Sequence, residues 1–259
     1  VVCKKFLFLT MMHTIRRLNS LNNDGDNMEQ RRTSEKTSHR WVDIHHSTHP
    51  VDYDGACQHM DHCVEALKRG VGPEVLWFLQ HPPLYTYGAR TNPSHIAMAH
   101  HTGLPVHLSK RGGQLTYHGP GQRIVYCMIH LRHRGIGVTE YMDVLQQWII
   151  RALSQCGIDG VVVPGFVGVW TAFGKVASIG VRVSGGISSH GLAINVREGR
   201  EPDYPSRSRG FGAIIPCGLE KTSVVSLSDL DPGLSLQDID TALLATNPFH
   251  DPGSVREMV

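Results

Sequence analysis

Residues 111–122 read RGGQLTYHGPGQ. Glycine lets backbone approach a ligand or turn through positive φ, and here four glycines and a proline punctuate the stretch. Between them Arg111, Gln114, Thr116, Tyr117 and His118 supply donors, acceptors and one titratable ring. A structural loop has little use for so much polar equipment among so many glycines, so the stretch reads as a binding site.

Working outward, Arg123 to Leu131 alternates two largely apolar faces, the mark of a central strand. Upstream, Pro105 to Leu108 is a short strand, and Val75 to Gln80 is an apolar strand that exits through HPPLYTYG. Trp41 to Ser47 reads as a first strand. From Tyr53 the set Ala56, Cys57, Met60, Val64 and Leu67 follows the helical period and stops at Gly70. His59 and His62 sit three apart on that helix, but no third ligand is near and there is no H-E-x-x-H; they read as solvated helix surface. Downstream, Thr139 is the expected N-cap of a helix striped by Tyr141, Leu145, Trp148, Ile149, Ala152 and Leu153 and ended by Gly157. Val161 to Val163 and Val167 to Thr171 are short strands.

The chain has 259 residues, 41% hydrophobic and 19% charged, ordinary for a globular protein, with no apolar run of membrane-spanning length. Its net charge of +2 divides into about +4 over residues 1–40 and about −2 over the rest. The body therefore carries no basic stripe for nucleic acid. Residues 1–40 contain Lys4, Lys5, Arg16 and Arg17 before the first acid, Asp24, with Ile15, Leu18 and Leu21 at helical spacing. Such a start reads as a mitochondrial transit peptide followed by a polar linker; otherwise the protein is expected in the cytoplasm. The catalytic domain is expected over 41–247, with a tail over 248–259. Six cysteines without a C-x-x-C suggest neither a disulfide framework nor a zinc site, and a reducing compartment fits them. No cofactor, metal, nucleic acid or membrane partner is expected.

Residues 174–196 read GKVASIGVRVSGGISSHGLAINV, two alternating runs around Ser184-Gly185-Gly186, a hairpin signature. Ala177, Ile179, Val181 and Val183 share a face, and Lys175 is in phase with them. In a regular strand its ammonium would point to that apolar side; if Lys175 precedes the strand, it faces water. Spacing leaves both open. A basic, Pro/Gly-broken loop over 197–214 then leads to Pro216-Cys217-Gly218. Cys217 is the cysteine of the body outside any periodic pattern; spacing alone allows either a buried thiol or a nucleophile.

Four ordered motifs now stand together: R-G-G-x-x-T-x-H-x-P-G-Q (111–122), G-K-V-x-S-I-G (174–180), H-G-L-A-I-N-V (190–196) and P-C-G (216–218). In this order they resemble the octanoyltransferases, the lipoyl(octanoyl) transferase family of the biotin/lipoate protein ligase superfamily, over roughly residues 41–245. The resemblance implies an α+β fold, a mixed β-sheet backed by helices, as in the biotin/lipoate protein ligase (class II synthetase-like) fold. It implies Cys217 as acyl-thioester nucleophile and Lys175 as its basic partner. It places Arg111, Gly112, Gly113, Gln114, Leu115, Thr116, Tyr117, His118, Ser178, Ile179, Gly180, Gly191, Leu192 and Ala193 around the acyl substrate. The implied donor is octanoyl-acyl carrier protein. The implied acceptors are lipoyl domains of 2-oxoacid dehydrogenase complexes and the glycine cleavage H protein. Two departures stand out. Gln80 occupies the place before His81 where the family has a glutamate or similar residue, and the segment from Asn195 to Cys217 is longer than in bacterial members. That loop, with Arg197, Arg200, Arg207 and Arg209, is a candidate contact for an acidic carrier.

The implied reaction is ping-pong and needs no ATP, because thioester to amide runs downhill. An unperturbed thiol is only about 3% thiolate at pH 7. A neighbouring ammonium lowering its pKa by about two units raises that fraction roughly 25-fold, and the accompanying loss of nucleophilicity leaves a net gain of about threefold. Lys175 is therefore expected to matter more as a proton carrier, a role that partial burial of its ammonium would suit. Two rival readings are an ATP-dependent lipoate or biotin ligase of the same fold and a non-catalytic protein that binds lipoyl domains. A histidine-rich metal-binding protein is a third.

Overall fold

The computed structural model describes residues 42–197, 210–214 and 224–249, and the backbone of 255–257. The expected leader and most of the basic loop, with Arg200, Arg207, Arg209 and Cys217, lie outside the described residues.

A mixed sheet of eight strands forms the body. Its elements are β1 (Val42–His46), β2 (Glu74–Leu79), β6 (Gln122–Met128), β7 (Val161–Val163), β8 (Phe166–Thr171), β9 (Gly174–Ser184), β10 (Ile187–Asn195) and β11 (Val255–Glu257), in spatial order β11-β1-β2-β6-β10-β9-β8-β7. A second sheet orders β4 (Val106–Leu108), β3 (Leu84–Tyr87) and β5 (Thr116–His118). Strand β6 lies between β2 and β10, and all seven of its residues are buried, as its doubly apolar pattern requires.

Each face of the large sheet is covered by helices whose apolar stripes match it. Helix α4 (Val138–Gln155) lays Tyr141, Leu145, Trp148, Ile149, Ala152 and Leu153 on Val125, Cys127, Leu192 and Ile194, joined by α5 (Leu236–Ala245). Helix α1 (Tyr53–Lys68) packs Ala56, Met60, Val64 and Leu67 on Trp77, Ile124, Tyr126 and Met128 from the other face. Bidentate pairing of Arg123 with Asp240, at 2.6 and 2.8 Å, ties β6 to α5. Arg134, in the short helix α3 (Leu131–Arg134), grips Glu74 and donates to the Phe249 carbonyl at 3.0 Å. Phe249 is buried, so the region expected as a tail begins inside the core, and β11 adds an edge strand beside β1.

Several local expectations shift. The cap of α4 is Gly137 rather than Thr139, because Gly135 (φ 69) ends α3 and the next helix starts at Val138, leaving Thr139 inside its first turn. Helix α2 (Pro93–His100) has no apolar stripe to read, since only Ala99 is buried, but Asn92-Pro93 is its capping signal. His59 is not fully solvated; its ring meets Trp77 edge-on at 4.7 Å. The hairpin between β9 and β10 turns on Gly185 and Gly186, both at positive φ (64 and 84).

Candidate active site

Where the small sheet leans over β9 and β10, a cavity of about 210 Å³ opens. Its floor comes from Ser178, Ile179, Gly180, His190, Gly191, Leu192 and Ala193, its far wall from Tyr53, Ile124 and Tyr126, and its roof from Arg111, Gly113, Gln114, Thr116 and His118. Gly165, Phe166, Val167 and Lys175 complete it. Pockets for drug-sized ligands run roughly 300–1,000 Å³, so this one suits a smaller or thinner ligand.

The roof is locked by one hydrogen-bonded chain. Arg111 donates to the Thr86 hydroxyl and carbonyl (each 2.7 Å) and to the Gln114 carbonyl (3.0 Å). The Gln122 amide nitrogen donates to the Tyr117 carbonyl and to Asn195 Oδ1, which turns Gln122 Oε1 toward His118 Nδ1 at 2.7 Å. A carbonyl oxygen only accepts, so His118 Nδ1 carries the proton and Nε2 accepts from the Thr86 hydroxyl at 3.1 Å. Both ring nitrogens are thereby engaged, and burial holds His118 well below the ordinary imidazole range. His118 is a neutral strut whose one ring proton is held by Gln122. Gln80, at the departed position, accepts the Gly121 N–H at 2.8 Å, a bond a glutamate would also make.

Lys175 is 4% exposed, and its ammonium lies 5.9 Å from the Trp170 ring centroid. Its strand is not regular. Val169 pairs with Ala177 but Trp170 pairs with Lys175, so Val176 is an extra residue, a β-bulge. Val176 and Ala177 both enter the helix-covered core. The bulge therefore moves Lys175 out of phase with Ala177, Ile179, Val181 and Val183 and onto the cavity side with Ser178 and Gly180. Neither of the two readings that spacing left open describes it: the strand is not regular at Lys175, and the buried side chain faces the cavity rather than water. The Val225 N–H donates to the Lys175 carbonyl at 3.0 Å, and Val224 bridges Lys175, so the segment that begins seven residues after Cys217 is attached beside this lysine.

Gly168 makes room for that side chain. At φ 124 it adopts a backbone few L-residues tolerate, and a Cβ there would fall 2.6 Å from Lys175 Cε and against the Ala177 carbonyl. Gly168→Ala is expected to cut acyl transfer about 100-fold, the scale of a 1 Å misplacement, with ligand binding in the cavity nearly unchanged. Comparing turnover with the affinity for a free medium-chain acid checks this; an unchanged rate would contradict it.

Three buried histidines surround the deep wall. The Tyr126 hydroxyl donates to His81 Nε2 at 2.8 Å, since His81 Nδ1–H is committed to the Val51 carbonyl. Burial lowers His81 and His118, and burial with Arg111 and Arg182 lowers His190 to about 4. Unfolded histidines take up protons near pH 6.5 while these remain neutral in the fold, so the unfolded state binds more protons below that pH. Their contribution is complete above about pH 6.5 and is lost as pH falls toward 4. The urea midpoint should drop steadily between pH 7 and 4.5; a flat profile would count against this assignment.

Of the residues expected around the substrate, Arg111, Gly113, Gln114, Thr116, His118, Ser178, Ile179, Gly180, Gly191, Leu192 and Ala193 come together on the cavity, with Lys175. Gly112, Leu115 and Tyr117 do not line it. Leu115 is buried with Tyr85, Ala99 and Ile214, and Tyr117 packs its ring on Phe211, because alternation turns them away from Thr116 and His118. Cys217 is outside the described residues. Tyr53, Ile124, Tyr126, Gly165, Phe166, Val167 and His190 line the cavity without having been expected to. His190 opens the H-G-L-A-I-N-V motif and was within reach of the reading; the others come from distant elements.

A mixed sheet with a small, largely apolar cavity under a glycine-rich arm and a buried lysine beside it is an arrangement that suits an acyl-handling enzyme. Residues 38–247 match the Lipoyl protein ligase A/B catalytic domain. An octanoyltransferase of Paramagnetospirillum magneticum is 40% identical over 207 residues, covering 78% of this chain and 93% of the relative. One from Rhodospirillum rubrum is 40% identical over 200 residues, covering 75% and 88%. Among solved structures, lipoate-protein ligase A bound with ATP superposes with a TM-score of 0.60 at 14% identity, covering 85% and 88%. A bi-partite lipoate protein ligase from Thermoplasma acidophilum gives 0.55 at 14%, covering 80% and 82%. At these identities the structural likeness is one of fold. The chain belongs to the lipoyl protein ligase A/B catalytic domain family, among its octanoyltransferases, and is an acyltransferase.

Proposed function

We propose that this acyltransferase takes an octanoyl group from the thioester of an acyl carrier protein onto Cys217 and passes it to a lysine ε-amine of a lipoyl domain, without ATP. The lipoyl domains of 2-oxoacid dehydrogenase complexes and the glycine cleavage H protein are the intended acceptors. The observation that carries the reading is the buried Lys175 on a small cavity, joined through its backbone to Val224 and Val225, seven and eight residues after Cys217 in the sequence. Cysteine supply points the same way. Cys57, Cys63, Cys127 and Cys156 all have their thiols raised by burial, Cys127 to about 12, which disfavours the thiolate a nucleophile needs.

In the first step Lys175 accepts the Cys217 thiol proton, sulfur attacks the donor carbonyl, the donor C–S bond breaks, and the proton passes to the departing thiol. In the second the acceptor amine attacks the acyl-enzyme, the new C–N bond forms, and Lys175 carries the amine proton to the Cys217 sulfur as it leaves. The locked roof holds its shape throughout, and Arg111 and Gln114 orient the acyl group within it.

Incubation with octanoyl-carrier and no ATP should yield an acyl adduct, mapped to Cys217 by mass spectrometry and discharged on adding a lipoyl domain. Transfer that requires ATP and free acid would replace this reading with a ligase. We further infer that residues 1–40 direct mitochondrial import, to be tested by whether they carry a fused fluorescent protein into that organelle.

A further inference from the structure

His190 carries a backbone that histidine seldom adopts. Its φ is 58, the one positive φ outside glycine among the described residues, a region that strains an L-residue. The same residue is 5% exposed and lines the cavity, meeting Tyr126 edge-on at 5.7 Å. Its backbone N–H is spent on Met60 Sδ at 3.4 Å, and no hydrogen bond to its ring nitrogens is formed among the described residues. Strain is thus tolerated to hold an imidazole at the end of the cavity away from Lys175.

How far away follows from register. Lys175 pairs with Trp170 and Ala177 with Val169, one strand step; Ala177 and Val181 pair with Ile194 and His190, four more. Five steps at about 3.4 Å separate the two levels by about 17 Å. An eight-carbon acyl chain is about 9 Å long at roughly 1.25 Å of rise per C–C bond. Contact distances of about 3.5–4 Å at each end fill the remainder.

We propose that His190 is the length gauge of the acyl cavity, a specificity-determining residue that stops saturated chains at about eight carbons. The inference rests on the acyl-transfer reading of the cavity. The stop is polar as well as steric. A methylene that reaches the ring covers imidazole nitrogens which, in the absence of the chain, are open to the cavity, and burying an unpaired polar group cancels the gain of burying another CH₂. Being neutral at physiological pH, as its lowered pKa requires, the ring draws no carboxylate to this end.

The test uses the full chain, wild type and His190→Gly, since glycine accepts the positive φ without strain. Binding of free saturated carboxylates from about four to about fourteen carbons is measured by calorimetry, with acyl-enzyme formation from matching thioesters alongside. Wild type should peak near eight carbons; in the variant affinity should keep rising about fourfold per methylene through twelve carbons. His190→Asn, polar, shorter and tolerant of this backbone, should move the peak by one or two carbons. Identical profiles in wild type and His190→Gly, a wild-type profile that rises through twelve carbons, or no binding of any chain would overturn the proposal. Chains that bind with the expected profile but form no acyl-enzyme would sink the transfer reading and leave the gauge standing.

Discussion

Lys175→Arg should lower acyl transfer by about 10²- to 10⁴-fold although it keeps the positive charge, the range expected when a proton carrier is removed. A guanidinium does not release its proton near neutral pH, so it neither accepts one from the thiol nor relays one from the amine. Electrostatics alone would predict a mild defect, because lowering a thiol pKa trades nucleophilicity for thiolate. Arginine is also bulkier, and the lysine stem already touches the space that Gly168 leaves. Lys175→Ala separates the two effects: small primary amines should restore part of its rate, while guanidinium at the same concentration should not. Near-full activity in Lys175→Arg would remove the proton-carrier role.

Cys217→Ser should abolish the acyl adduct in intact mass spectra and reduce turnover on the order of 10³-fold or more, as loss of a nucleophile does elsewhere. The adduct, not the rate, is the decisive readout, since a slow residual reaction can run by direct attack of the amine. If a thiol-dependent adduct persists, another cysteine is the nucleophile. Cys127, fully buried with its thiol pushed up to about 12, is the least suited of the described cysteines.

The long loop reads differently once one of its ends is placed. Arg197 donates to the carbonyls of Leu234 and Pro232, at 3.1 and 3.4 Å, so this arginine braces the approach to α5. Arg197, the described one of the four arginines considered for carrier contact, therefore directs its charge at this chain.

What the sequence determined by itself is whatever depends on neighbours a few residues apart. The stripe of α4, the doubly apolar β6 and the Gly185-Gly186 turn each follow from local period or local φ, and each is where the pattern puts it. The glycine-rich arm announced a binding site for the same reason, its equipment being contiguous. Its internal facing was not read: Leu115 and Tyr117 were expected around the substrate with Thr116 and His118, and the small sheet in place turns them away from the cavity. Tertiary structure alone decided the rest. Whether Lys175 faces core or cavity depends on the bulge at Val176, which exists only because β9 pairs with β8 in a shifted register. The tautomer of His118 depends on Thr86, Gln122 and Asn195, three residues spread over more than a hundred positions, and its neutral state on the burial that the fold imposes. The cavity joins Tyr53 of α1 to Tyr126 of β6 and His190 of β10. Periodicity is a one-dimensional signal with a reach of one or two turns; a cavity is a closed surface assembled from strands that meet only when the sheet forms.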